Sequence, residues 1–296
     1  MQGADRPGRA NPPLAALLTV TASAFVAGTM LLAKMIGTGQ FGPPLHPLQI
    51  RQGRFMVALA AFACLAAAMR PRLTRPALGM HALRSGFGWG GVTLMFAAAA
   101  FIPLSDASAI SFLNPVFAML LAIPLLGETV GRVRWSAALI ALTGAAILLR
   151  PTPGSFQPAA LLALAAALSL GAEIIVIKRL SRAEGAMQIL LLNNVFGFAI
   201  STCAALLVWQ APTGAQWLAL IGIGLLMATA QICFINAIAM ADASFVSPFW
   251  YATLVFATGY DFAVFGTRPG AVSILGAAVI LAGGGLLAWR EARLRP

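Results

Sequence analysis

Breaks rich in Gly, Pro and charge divide this 296-residue chain into continuous apolar segments at about 14–36, 48–69, 79–101, 105–126, 133–149, 158–178, 187–209, 215–238, 243–265 and 271–289. Each is roughly 17 to 24 residues long, the length an α-helix needs to cross the ~30 Å hydrocarbon core of a bilayer. Lipid offers no partner to a backbone N–H or C=O, so a spanning segment must be a helix or part of a closed barrel. Barrel strands alternate lipid-facing and lumen-facing residues, and these segments do not. The expected fold class is therefore an all-α integral membrane protein with ten transmembrane helices. Composition agrees, with 60% hydrophobic and 9% charged residues, where a soluble domain carries about a quarter charged. No length remains for a soluble catalytic domain.

The net charge of +11, from 19 Lys and Arg against 8 Asp and Glu, is read as topology and not as nucleic-acid binding. With a cytoplasmic N-terminus, one side collects Arg6, Arg9, Arg70, Arg72, Arg75, Arg84, Arg132, Arg134, Lys178, Arg179, Arg182, Arg290, Arg293 and Arg295, 14 of the 19 bases. The outer connectors keep Arg150 and Arg268, with Lys34, Arg51 and Arg54 near outer span ends. The positive-inside rule then puts both termini in the cytoplasm. Trp135 and Trp289 mark the inner interface and Trp209 and Trp217 the outer one, leaving Trp89 and Trp250 outside the belts. Arg6 and Arg9 before the first run and Ala22-Ser23-Ala24 within it imitate a signal peptide, but the run continues well past Ala24. Cys64, Cys203 and Cys233 have no metal-ligand spacing, and neither disulfide nor metal is expected.

The two halves echo each other. Asp106-Ala107-Ser108 recurs as Asp242-Ala243-Ser244 and Gly86-Phe87-Gly88 as Gly222-Ile223-Gly224, both at an offset of 136. Gly127 matches Gly266, Gly144 matches Gly283 and Gln49-Ile50 matches Gln188-Ile189 at 139, while Lys34 matches Lys178 at 144. A unit of five helices is odd, so its second copy enters the membrane from the opposite side. The expected organisation is an N-terminal tail (1–13), a first five-helix repeat (14–149), a second, inverted one (158–289) and a C-terminal tail (290–296). Such inverted repeats are the architecture of alternating-access carriers, with substrate held near the midplane between them.

The run Asp106-Ala-Ser-Ala-Ile-Ser-Phe-Leu-Asn114-Pro115-Val-Phe, then Leu126-Gly127-Glu128, Arg134-Trp135 and the Gly144 run, resembles the EamA-type ten-helix branch of the drug/metabolite transporter superfamily. Lys34 and Arg54-Phe55 also stand at positions that look like those of the family, and the resemblance spans essentially the whole chain. It departs in the second half, where Tyr251 replaces a second Pro, with Pro248 three residues earlier, and Gly266-Thr267 replaces a second Gly-Glu. The resemblance implies an inner-membrane carrier of small molecules, commonly an exporter of amino acids or related metabolites.

Ionisable groups at membrane depth are costly and mark function by default. Glu173, in the sixth span, is the first candidate for a coupling proton or a substrate amine, against a static pairing with a base such as Lys178. Asp261 lies in the outer part of the ninth span. Arg54 and Lys34 could hold a substrate carboxylate, Arg through its planar fork, against snorkelling to the headgroups; Lys178 reads as a topology charge. Asn114, Asn193, Asn194, Gln231 and Asn236 are polar candidates that inter-helix bonding would also explain. Trp89, Trp250, Tyr251 and Tyr260 are aromatic candidates, with core packing as the competing reading. Pro115 and Pro248 are gating candidates, because a proline frees a carbonyl one turn back and lets a helix bend.

No phosphate-cradling loop or acid–base cluster is present, so an enzyme, an ATP-driven pump and a resident cofactor are not expected. The expected activity is efflux or exchange of small zwitterions such as amino acids by a secondary transporter in the lipid bilayer, with proton coupling and a homodimer both compatible. The alternative is uptake of a larger charged metabolite, nucleotide-like or sulfonium; an integral-membrane enzyme or scaffold is the non-transport reading.

Overall fold

The computed structural model describes residues 11–71, 73–102, 107, 110–149, 158, 160–266 and 270–293. All regular structure among them is helical: α1 (Pro12–Gly37), α2 (Pro47–Met69), α3 (Leu78–Ala99), α4 (Asn114–Leu126), α5 (Arg132–Leu149), α6 (Ala160–Ala183), α7 (Ala186–Ala205), α8 (Gly214–Met240), α9 (Ala252–Phe265) and α10 (Ala271–Arg293). A 3₁₀ turn, Leu206–Val208, extends α7, and a short helix, Ala243–Val246, runs through a 3₁₀ segment, Ser247–Tyr251, into α9. Six helices among the described residues are long and apolar enough to cross a membrane: α1, α2, α6, α7 with its 3₁₀ extension, α8 and α10. Large apolar side chains such as Leu17, Leu161, Leu207 and Leu218 remain exposed, which a lipid-facing surface accommodates and water would not. Asp106, Ser108, Thr267, Arg268, Arg150, Arg6, Arg9, Arg72 and Arg295 lie outside the described residues, as does most of the N-terminal tail.

Local sequence sets the helix ends. Asn11 accepts from Leu14 N–H at 3.3 Å with Pro at the first helical positions of α1, and Thr213 and Gln216 form a reciprocal capping box on α8. Gly127 and Gly266, paired by the sequence echo, end α4 and α9 at φ 68° and 65°, the left-handed cap that glycine adopts without penalty.

The packing partners come in related pairs. α1 packs on α8 as α6 packs on α3, α4 on α6 as α9 on α1, and α2 on α8 as α7 on α3, while α2–α7 and α5–α10 pack on one another. The α5–α10 contact is close because it is built on glycine. A Cβ on Gly144 would stand 2.7 Å from Gly276 O and Ile280 N, and one on Gly283 would stand 2.9 Å from Ala137 O and Ala141 N. Loop clamps follow the same relation. Gln188 Oε1 accepts from Thr74 N–H at 2.8 Å, joining the start of α7 to the α2–α3 connector. Gln49, at the start of α2, accepts from Gln210 N–H at 3.1 Å and donates to Gln210 O in the α7–α8 connector.

Beside the Gln188 clamp, Glu184 accepts from Ala77 N–H at 2.8 Å and Gln188 Nε2 at 2.7 Å, and His81 Nε2 donates to it at 2.9 Å. Burial alone would push this carboxyl up, but the bonds from Ala77, His81 and Gln188 outweigh it and hold Glu184 below the usual carboxylate range.

Candidate functional site

A cavity of about 620 Å³ lies between α1, α2, α3, α6, α7 and α8, with Asn114 of α4 and Trp250 of the 3₁₀ segment completing its wall. Its lining follows α1 from Val26 to Gly37, roughly 16 Å at 1.5 Å per residue. The upper limit is the α1–α2 connector, where Gly37 and Pro47 line it.

Among the described residues, four charged side chains face this space: Arg51 and Arg54 of α2, Arg84 of α3 and Glu173 of α6. Arg84 Nε is 3.8 Å from Glu173 Oε1, an ion pair without a hydrogen bond, while its Nη1 donates to Ile189 O at 3.3 Å. Arg51 lays its guanidinium over the Trp89 ring at 3.8 Å, and Arg54 over Phe55 at 4.1 Å, cation–π distances that strengthen away from water. Gly88 makes room for the carboxylate, since a Cβ there would be 3.0 Å from Glu173 Oε2. Phe55 in turn fits against α7 only because Gly197 has no side chain.

Polar and aromatic groups complete the lining. Pro115 cannot donate to Ser111 O one turn back; the neighbouring Asn114 Nδ2 donates to that carbonyl instead, at 3.0 Å. The fourth apolar segment is accordingly interrupted at Phe112 and Leu113, and α4 restarts with Pro115 in its first turn. Gln231 accepts from Asn194 Nδ2 at 2.7 Å, and Trp250 packs on Phe234 with ring centroids 4.8 Å apart.

The fold thus gathers Glu173, Arg54, Asn114, Trp89, Trp250, Gln231 and Asn193 around one cavity. Lys34 and Asp261 instead meet each other at 2.9 Å, half exposed, at the α1 end where Lys34 also lies 4.5 Å over Phe265. Tyr251 is fully buried, and its hydroxyl donates to Phe112 O at 2.8 Å, tying the two helix interruptions together. Pro115 and Pro248 sit at those interruptions, outside the lining. Asn236 bonds back to Ile232 O.

Two bases that the sequence counted with the topology charges are buried and bonded within the protein. Arg84 is buried and faces Glu173 across the α3–α6 contact. Because it lies inside the third apolar segment, the criterion that selects Glu173 selects it too. Lys178 is also buried, and Nζ donates to Ile238 O at 2.6 Å and Ala241 O at 2.5 Å, capping α8; it does not pair with Glu173. Arg51 is the third residue missed, its depth concealed by its nearness to a span end.

Below the cavity, at the end opposite Lys34, the halves are latched by buried polar contacts. Glu128, just beyond α4, accepts from Ala243 N–H at 2.9 Å, Ser244 N–H at 3.0 Å and Ser244 Oγ at 2.6 Å. Arg134 Nη1 donates to Asp242 and Ser244 Oγ, each at 2.9 Å. The short helix starting at Ala243 takes no cap bond from its own Asp242; Glu128 supplies it from the other half.

A family model described as the EamA-like transporter family matches residues 13–150 and again 157–289. A riboflavin transporter of Vibrio cholerae is 33% identical over 82% of each chain, and one of Rhizobium johnstonii is 34% identical over 69% of this chain and 71% of its own. An S-adenosylmethionine uptake transporter of Rickettsia bellii is 25% identical over 85% of each. A solved crystal structure, 20% identical, superposes with a TM-score of 0.81 over 95% of this chain and 99% of its own, a likeness of fold. The chain belongs to the EamA-like transporter family and is a multi-pass membrane transporter.

Proposed function

We propose that this transporter carries a flat, acceptor-rich heteroaromatic metabolite of the riboflavin class across the bacterial inner membrane. The observation that carries the reading is the donor-rich aromatic cavity, in which Arg51 stacks on Trp89 and three guanidiniums outnumber one carboxylate. Guanidinium groups donate and never accept, so they suit the carbonyl and ring-nitrogen edge of an isoalloxazine. The volume of about 620 Å³ falls in the ~300–1,000 Å³ range that encloses drug-sized ligands and exceeds what an amino acid fills. A sulfonium cation would meet the guanidinium excess, which disfavours it. The two riboflavin transporters at 33% and 34% identity support the same choice.

In this reading ten spans form two inverted halves that alternate access, with both termini cytoplasmic. The double family match, the paired helix contacts, the Gln49 and Gln188 clamps and the facing interruptions near Pro115 and Pro248 support it. Lys34–Asp261 and the Glu128–Ser244 contacts then guard opposite ends. Glu173, the one carboxylate lining the cavity among the described residues, is the coupling candidate.

The test is flux of labelled riboflavin into liposomes holding the purified protein, against a panel of amino acids and S-adenosylmethionine. Saturable riboflavin counterflow, reduced about tenfold by Trp89→Ala, is expected from the loss of one aromatic–cation shelf of 1–2 kcal/mol. Amino-acid flux without riboflavin flux would overturn the proposal.

A further inference from the structure

The wall formed by α2 and α3 holds a cluster of polar hydrogens with no acceptor. Arg51 Nε, Arg84 Nε, Ser85 Oγ and Trp89 Nε1 are each buried and without a hydrogen-bond partner, and all four residues line the same cavity. Buried donors left unmatched are costly, and such groups concentrate where a ligand completes them. Arg84 is only 4% exposed, so water reaches it poorly. Three guanidiniums against Glu173 leave two positive charges unbalanced, with Arg54 on Phe55 and Arg51 on Trp89 held by ring faces that supply no counter-charge. The nearest carboxylate contact, Glu173 to Arg84 at 3.8 Å, is too long to satisfy that Nε.

We infer that Arg51, Arg84, Ser85 and Trp89, backed by Arg54, form a seat for an oxyanion, carboxylate or phosphate, lying beside the aromatic shelf. Arg suits this role because its fixed fork of donors matches an oxyanion's paired oxygens, and Ser85 Oγ and Trp89 Nε1 extend the donor set. The seat deepens the heteroaromatic reading and rests on it for the choice of probe: a flavin carrying a phosphate ester brings an oxyanion to these donors, whereas riboflavin offers them only neutral acceptors. The oxyanion arrives either on the cargo or as a free ion bound beside a neutral cargo.

Equilibrium binding to the purified full-length protein in detergent separates these cases, with quenching of flavin fluorescence as the readout and melting temperature as the second. Riboflavin, its 5′-phosphate and inorganic phosphate are the probes. The phosphate ester is expected to bind at least tenfold more tightly than riboflavin, about one charge-assisted bond. In Arg84→Gln and Arg51→Gln that ratio falls towards one, while Arg84→Lys, which keeps the charge, retains part of it. Size-exclusion profiles and melting temperatures identify any variant that fails to fold; the wild-type ratio stands independently of them. Equal binding of ester and riboflavin, accompanied by stabilisation and tighter riboflavin binding on adding inorganic phosphate, keeps the seat and assigns it to a free anion. Riboflavin binding with no gain from the ester and no response to inorganic phosphate overturns the seat and leaves the proposed function standing. Absence of any flavin binding with a persistent, Arg84-dependent response to inorganic phosphate overturns the flavin reading and keeps the seat.

Discussion

Glu128→Ala removes a carboxylate that one half of the protein extends to cap a helix of the other. Glu128 takes three hydrogen bonds, from Ala243 N–H, Ser244 N–H and Ser244 Oγ, between 2.6 and 3.0 Å, and is buried. Bonds to a charged group contribute about 1.5–3 kcal/mol each, and an N–H left without a partner costs a further ~1–3. Water entering the opened end would satisfy part of this, so about 3 kcal/mol in favour of opening is a fair net value, roughly 150-fold in the closed-to-open ratio. Hydrogen-exchange mass spectrometry of the Ala243–Tyr251 segment in detergent reads the change directly, because amide protection tracks local opening. Exchange there should accelerate about a hundredfold in Glu128→Ala and by a smaller factor in Glu128→Gln, which keeps one acceptor. Helices remote from the latch, such as α2 and α7, should keep their protection. Unchanged exchange across 243–251 in a folded variant would refute the latch.

Glu173→Gln should abolish the pH dependence of riboflavin flux while leaving counterflow measurable in proteoliposomes; an unchanged pH profile removes Glu173 from coupling. Gly144→Ala forces a Cβ to within 2.7 Å of the α10 backbone and should lower stability by about 1–3 kcal/mol, seen as a lower melting temperature, whereas Gly285→Ala, with nothing within 4 Å, should not. Glu184 is held below its ordinary range in the folded state. It therefore contributes stability above the unfolded carboxylate value, and that contribution is lost as pH falls through the folded one. Melting temperatures from pH 6 down to about 3, through and below the unfolded carboxylate value of 4.5, should show the loss, with a flatter acid limb in Glu184→Gln.

Much of the site was legible before any fold was known, since a polar residue inside an apolar run is conspicuous. Glu173, Arg54, Trp89, Asn114, Asn193, Gln231 and Trp250 stand out in this way and converge on one cavity. Lys178 did not, because a base at a segment end looks alike whether it faces lipid headgroups or turns inward, and Arg84, although inside its segment, was counted with the bases of one side. Their partners are far along the chain: Arg84 meets Glu173, and Lys178 meets carbonyls at 238 and 241. Tyr251 and the Lys34–Asp261 pair carry the same lesson in reverse, being conspicuous in sequence and engaged with the protein itself.

Apolar segments of bilayer length, interrupted by Gly, Pro and charge, determined by themselves that this chain is a bundle of membrane helices, because lipid leaves the backbone no alternative. The echo between halves likewise lay in the sequence, down to the glycines that end α4 and α9. Only the tertiary structure decided which faces meet. Hydropathy measures the cost of leaving water and is the same for a side chain turned to lipid or to a neighbouring helix. Close packing at Gly144 and Gly283, the Glu128 latch and the gathering of three guanidiniums opposite one carboxylate depend instead on distances between groups that the chain order keeps apart.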